Sequence, residues 1–340
     1  MKQFFSLLFL FAATGAFAQT QNPQPITKLA FGSCNDQTKP CEIFFKIAEE
    51  KPQLFVFLGD NIYGDSENME EMQRKYDTLA SKPGYQKLVE TTPIIATWDD
   101  HDFGVNDGGK EYPKVKESKK MFLDFFKEPQ NSERRTREGI YTSYTYGETG
   151  KRVQIIMLDC RTFRDSLRFK KHPQLWGEYD KWDDTTKTML GEAQWKWLEG
   201  ELQKPADIRI IGSSTMFLVD FNGWEGWMNF PAENERLVQL IKKTKANGVF
   251  FISGDIHHGE FSRREVAGQY PLYDFTSSGL THYVWFANKN KYRQGTAFCH
   301  RNYGVINFDW EKRNMLFEIK NKKGKTKRRE TVAMDELKFQ

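Results

Sequence analysis

Residues 93–107 read PIIATWDDHDFGVND, an apolar run followed by four carboxylates and one histidine: Asp99, Asp100, His101, Asp102 and Asp107. Carboxylates this close repel one another and raise each other's pKa. They need a positive partner, which is a metal ion, a lysine or arginine, or only the screening of solvent. The apolar run is short and rich in isoleucine, so it reads as a buried strand with the charged knot at its end.

The same break recurs along the chain. ITKLAF (26–31) runs into GSCND, QLFVFL (53–58) into GDNIYGD, and RVQIIML (152–158) into DCR. IRIIG (208–212) runs into SSTM, GVFFIS (248–253) into GDIHHGEF, and YDF (273–275) into TSSGLTH. Between these strands lie helical periods. CEIFFKIAEE (41–50) sets Ile43, Phe44 and Ile47 on one face. Residues 68–80, 114–126, 191–202 and 233–245 follow the same spacing. Alternating strands and helices predict a layered α/β domain, and ligands in such folds gather where several strands end at one edge. No repeat or linker divides residues 19–340, which read as one domain.

The first 18 residues, MKQFFSLLFLFAATGAFA, have a basic start, an apolar centre and a small-residue end. This is the pattern of a signal peptide, too short in its apolar part to span a membrane. A secreted or periplasmic, soluble and monomeric protein is expected, without a transmembrane segment. A net charge of +4 is too small to imply a nucleic-acid partner. The one basic run, residues 320–329, reads as a hairpin turning at Lys323 and Gly324. Four cysteines in a chain this long do not make a disulfide scaffold. Residues 161–188 read as a long surface excursion near the site edge.

Several strand ends carry side chains suited to metals. Asp60 follows a glycine, with Tyr63 three residues on. A carboxylate there can bridge two cations and a phenolate can bind a hard trivalent ion; otherwise the motif is a turn with a buried tyrosine. Cys34 is a thiolate ligand or an ordinary buried thiol. Asp255 and His257, two apart on an extended segment, point the same way, and together suit a first-row transition metal. His258 then faces away, in a structural role. Within the charged knot, Asp100, His101 and Asn106 are the chosen members. Asn106 offers a neutral oxygen and His101 a proton, while Asp99, Asp102 and Asp107 orient them or bind a further hard cation such as calcium. Trp98, Trp224, Trp227 and Trp285 either wall a cleft or pack the interior.

Taken in order, GSC, LGDNIY, TWDDHD…N, LDCR, GDIHH and TSSGLTH resemble the alkaline phosphatase D (PhoD-like) family of metallophosphoesterases, from about Ile26 to Trp310. The resemblance implies an α/β fold, a four-layer α/β/β/α sandwich with two mixed sheets. It implies a site over the strand ends holding Fe(3+) and Ca(2+), or another divalent metal. On that likeness Cys34 and Tyr63 are iron ligands, Asp60 bridges, Asn106 binds the second metal, and Asp100, Asp255 and His257 complete the metal set. Arg161 then faces phosphate, with Asp159 beside it. The implied activity is hydrolysis of phosphate monoesters or diesters by a metal-activated hydroxide. His101 protonates the leaving oxygen, with His282 as second candidate. GSC stands where most metallophosphoesterases open with D-x-H, which favours the PhoD-like branch. Only residues 19–25 precede the first strand, so the β-sandwich extension of longer members is not expected and the site should be more open. The alternatives are a non-enzymatic calcium-binding surface protein and a polyanion binder acting through the basic hairpin.

Overall fold

The computed structural model describes residues 21–171, 177–221 and 223–340; the expected signal peptide, residues 1–18, lies outside them. Its strands are β1 (Gln21–Asn22), β2 (Lys28–Gly32), β3 (Leu54–Leu58), β4 (Ile94–Thr97), β5 (Thr142–Tyr146), β6 (Val153–Met157), β7 (Arg168–Phe169), β8 (Tyr179–Asp180), β9 (Ile208–Ser213), β10 (Val249–Ser253), β11 (Gly259–Arg264), β12 (Leu272–Ser277), β13 (Asn302–Asp309), β14 (Asn314–Asn321) and β15 (Thr326–Ala333). The helices are α1 (Ile43–Glu49), α2 (Met69–Ala80), α3 (Pro83–Thr91), α4 (Asp100–Phe103), α5 (Val115–Phe125), α6 (Glu133–Thr136), α7 (Gly191–Gln203) and α8 (Pro231–Thr244). All seven apolar runs form strands, and each expected helical stretch holds a helix. The basic run turns between β14 and β15, with Gly324 at φ +76°.

Two large mixed sheets result. One has the order β1-β5-β6-β9-β10-β12-β11 and the other β15-β14-β13-β2-β3-β4. The period of two divides β3 cleanly. Leu54, Val56 and Leu58 join Ile155, Met157 and Ile210 in a core between the sheets. Phe55 and Phe57 turn the other way, onto Phe44 of α1 and Leu88 of α3, with the two phenylalanine rings edge to face at 4.7 Å. Helices α7 and α8 bury Trp195, Leu198, Leu237 and Ile241 on the far side of the first sheet. The layers are therefore helix, sheet, sheet, helix. Among the described residues no helix is long and apolar enough to cross a membrane.

Strands β2, β3 and β4 run parallel to one another, as do β6, β9, β10 and β12. Each block therefore presents its carboxyl ends at one edge. Cys34, Asp60, Asp99, Asp159 and Asp255 each stand two residues past a strand end, and Ser214 and Ser278 stand one past. The two edges are stitched together. Thr97 Oγ1 donates to the Leu158 carbonyl at 2.7 Å, Ser214 Oγ donates to Asp99 Oδ1 at 2.7 Å, and Ser33 pairs with Ser278 through a backbone bridge.

Gly59 lets the β3 and β4 ends approach. Its φ is +95°, and a Cβ there would lie 2.4 Å from Asp99 Cβ and 2.7 Å from Asp99 N. Gly150, at φ +92°, has nothing within 4 Å of such a Cβ. Alanine at Gly150 meets only the conformational penalty, whereas alanine at Gly59 adds overpacking worth ~1–3 kcal/mol. Urea unfolding of Gly59→Ala and Gly150→Ala is expected to show that difference; equal losses would contradict the close approach.

Candidate metal centre

The chain leaves the parallel strands through left-handed turns. Cys34 (φ 60°), Asp60 (φ 49°), Asp107 (φ 54°), Asp255 (φ 72°) and His257 (φ 59°) all occupy this region. Non-glycine residues seldom do, and such residues cluster where a site over-determines them. The turns swing side chains from two sheets over one edge. Asp255 and His257 converge in this way. The expected extended segment, with side chains alternating, is absent, because both residues lie in a tight turn beyond β10.

Cys34 Sγ lies 3.3 Å from Asp60 Oδ2, 3.0 Å from Ser278 Oγ and 3.7 Å from the Asp255 carbonyl. Tyr63 Oη lies 3.1 Å from His257 Nε2. The Tyr63 ring stacks on His101 at 4.1 Å between centroids, and His257 stacks on His282 at 4.3 Å. His101 Nδ1 is 2.7 Å from Asp65 Oδ1. Asp102 works behind this layer. It accepts from the backbone N–H of Asp60 at 3.1 Å and of Asp99 at 2.7 Å, and from Asn61 Nδ2, which ties the β3 turn to the β4 turn.

Three sets of potential ligand atoms each fall within 4.8 Å of one another: Cys34, Asp60 and His257; Asp60, Asp100 and His101; and Asp100, Asp107 and Glu225. Asp60 and Asp100 are shared, so the sets form a chain across the edge. Oδ1 of Asp60, Oδ1 of Asp100 and Nδ1 of His282 are buried and have no hydrogen-bond partner. Buried polar atoms are normally satisfied. Orphaned carboxylate oxygens beside a thiol, a phenol and imidazoles fit metal ligation, with soft and nitrogen donors at one end and hard oxygen donors at the other.

Without a cation the electrostatics are adverse for most of these acids. Asp100 is the exception, because burial acts upward on it but Arg161 and His101 outweigh that and hold it below the usual carboxylate range. Burial first, then the neighbouring acids, raises Asp60 and Asp255 well above the usual carboxylate range. Burial lifts the Cys34 thiol to about 12 and Asp107 to about 7. Burial also depresses His257 to about 3, leaving a neutral ring suited to a metal. For His101 burial acts downward but is outweighed by the Asp65 hydrogen bond and by Asp100, so it rises to about 9.

The profile of the PhoD-like phosphatases matches residues 29–296. The chain belongs to the PhoD-like phosphatase family. Alkaline phosphatase D of Bacillus subtilis (strain 168) is 22% identical over 281 residues, 68% of this chain and 46% of its own length. The chain thus spans about half the length of that relative. Among solved structures, PhoD superposes with a TM-score of 0.70 at 18% identity, covering 87% of this chain and 66% of its own. GAP50, described as the anchor in the inner membrane complex of Plasmodium, gives 0.57 at 13% identity over 91% of this chain and 89% of its own. A dimetal phosphatase from Danio rerio gives 0.53 at 12% identity over 93% and 100%. At these identities the structural likeness is one of fold, and it agrees with the two packed mixed sheets.

Against the PhoD-like expectations, Cys34, Asp60, Tyr63, Asp100, His101, Asp255, His257 and His282 come together at the strand ends. Asn106 is exposed and lines the adjoining cavity together with Asp100, His101 and Asp107. Arg161 departs from its expected place. It is fully buried behind the carboxylates, where Nε donates to Asp99 Oδ1 at 2.5 Å and Nη1 and Nη2 grip Glu225 at 2.8 and 2.9 Å. Every arm of the guanidinium is occupied, so it faces no phosphate here. Sequence reading missed Glu225, whose only signal was an acidic residue between the tryptophans of the loop GWEGW.

His258, expected to face away, lines the same cavity as Asp255 and His257, its ring held by the Ile256 carbonyl and Glu260. Trp98 and Trp227 are packing residues, whereas Trp224 and Trp285 are exposed. All four cysteines are free. Breaking a buried ion pair costs ~3–5 kcal/mol, so Arg161→Met is expected to lose about that much in urea unfolding. A loss below ~1 kcal/mol would contradict its role as internal counter-charge.

Proposed function

We propose that this protein is an exported, metal-dependent phosphoric ester hydrolase of PhoD type, with residues 19–340 as one domain and Fe(3+) and Ca(2+) as its cations. The observation that carries the reading is the chain of donor sets through Cys34, Asp60, His257, Asp100, Asp107 and Glu225, with orphaned oxygens on the two shared carboxylates. Cys34, Asp60, Tyr63 and His257 would hold the iron. Asp60, Asp100 and Asn106 would hold the second cation, with Asp107 and Glu225 close to Asp100. Bound there, the cations would supply Lewis acidity toward the phosphoryl oxygens and a nucleophile at neutral pH.

The chain's own residues do the rest. Asp65 commits Nδ1 of His101, which leaves Nε2 to hand a proton to the leaving oxygen. The Tyr63 ring stacked beneath it keeps the imidazole in plane. His282 is the second candidate, because burial lowers its pKa and so favours the neutral ring, which has no proton to spare, and its ring is stacked against His257. Arg161 does not touch substrate in this reading. It holds Asp99 and Glu225 in place and keeps the carboxylate layer from being wholly uncompensated. Without metal the acidic inner end of the cavity, with Asp100 and Asp255, would repel a phosphate ester.

Asp60→Asn keeps the shape of the side chain and removes its charge. It is expected to lower hydrolysis of a chromogenic phosphate ester by at least about a hundredfold, with an unchanged circular dichroism spectrum and less bound metal by elemental analysis. Unchanged turnover would reject the hydrolase. Calcium alone, with no turnover in the unaltered protein, would favour a non-enzymatic calcium-binding surface protein.

A further inference from the structure

The donor sets open into a cavity of about 320 Å³. Asp100, His101, Asp255 and His257 line its inner end. The apolar part of the wall is made by Met216, Val219, Trp224, Ile256, Val284 and Phe286. Trp224 and Phe286 are large side chains left 44% and 58% exposed. Their positions follow from the fold: Trp224 rides on the loop that delivers Glu225, and Phe286 follows Val284, whose N–H is held by the His257 carbonyl at 3.0 Å.

The polar groups on this stretch of wall are engaged with one another. His258 bridges the Ile256 carbonyl at 2.9 Å and Glu260 Oε2 at 3.0 Å. Asn290 Nδ2 donates to Glu260 Oε1 at 2.7 Å and to the Leu218 carbonyl at 2.9 Å. Arg293 donates through Nε to Glu260 and through Nη2 to the Asn288 carbonyl at 2.6 Å. Beside the apolar surface the cavity offers the side-chain amides of Asn106 and Asn288, and Lys289, exposed without an ion-pair partner among the described residues.

We propose that this wall is a specificity subsite for the organic group of the ester, and that it selects an apolar, ring-bearing group with at most one negative charge. Planar rings give large apolar contact and suit aromatic walls. A polyphosphate would meet only one uncommitted cation, Lys289, on this wall. The phosphate end of this assignment rests on the hydrolase reading; the wall itself does not.

The test uses metal-loaded protein and two phosphonates, whose carbon–phosphorus bond resists hydrolysis. Phenylphosphonate and 2-naphthylphosphonate differ mainly in apolar area. By calorimetry the naphthyl compound is expected to bind about tenfold more tightly, from the added buried surface. The double substitution Trp224→Ala, Phe286→Ala removes exposed side chains, and it is expected to bring the two affinities within about twofold. Equal affinities in the unaltered protein, or a preference that survives the double substitution, would overturn the subsite. Hydrolysis of 2-naphthyl phosphate is measured separately. Preferential binding without turnover would sustain the subsite and reject the hydrolase.

Discussion

Negative charge gathered where strands end is the constraint on which the site depends. Asp60, Asp99, Asp100, Asp107, Glu225 and Asp255 approach one another in surroundings largely shut off from water. Two guanidinium groups stand among them. Arg161 takes Asp99 and Glu225, and Arg164 Nε lies 3.4 Å from Glu225. Arg161 Nη2 also lies 3.7 Å from Asp100 Oδ1, but among the described residues no lysine or arginine hydrogen-bonds or ion-pairs with the side chain of Asp60, Asp107 or Asp255. Buried carboxylates without a counter-charge either take up protons or bind cations. The thiol, phenol and neutral imidazole beside them make the second outcome the chemically coherent one.

The fold delivers this arrangement through two blocks of parallel strands facing each other. Parallel pairing aligns carboxyl ends, face-to-face packing brings the two aligned edges together, and left-handed turns aim the side chains inward. Gly59 and Asp102 set how near the β3 and β4 turns come. The apolar interior does the larger part of the stabilising, which lets the edge tolerate strained turns and like charges. A site assembled this way gathers its members from residues 34 to 282, carried in by the ends of several strands and one loop.

Much of this was legible in the residues. The apolar runs became strands because nothing but a buried sheet accommodates short segments greasy on both faces. The long helices followed their 3.6 period. Helix α3 was overlooked because its nine residues carry one proline and one glycine, although Pro83 suits a first turn. The ligand set was visible because each motif broke off at a strand end. Three features were hidden for physical reasons. The turn at Asp255 and His257 depends on backbone torsions that alternation rules do not encode. Glu225 reaches the site from a loop distant in sequence. Arg161 could be placed next to Asp159 but not given a direction, and the direction decides whether it meets phosphate or carboxylate.

The central claim is a metal centre spanning the two sheets. Anomalous diffraction from crystals of the purified protein, collected on either side of the iron absorption edge, tests it most directly. The account predicts a strong iron-specific peak within bonding distance of Cys34 Sγ, Asp60, Tyr63 Oη and His257 Nε2. A map with no peak there, or with iron bound elsewhere on the molecule, would contradict it.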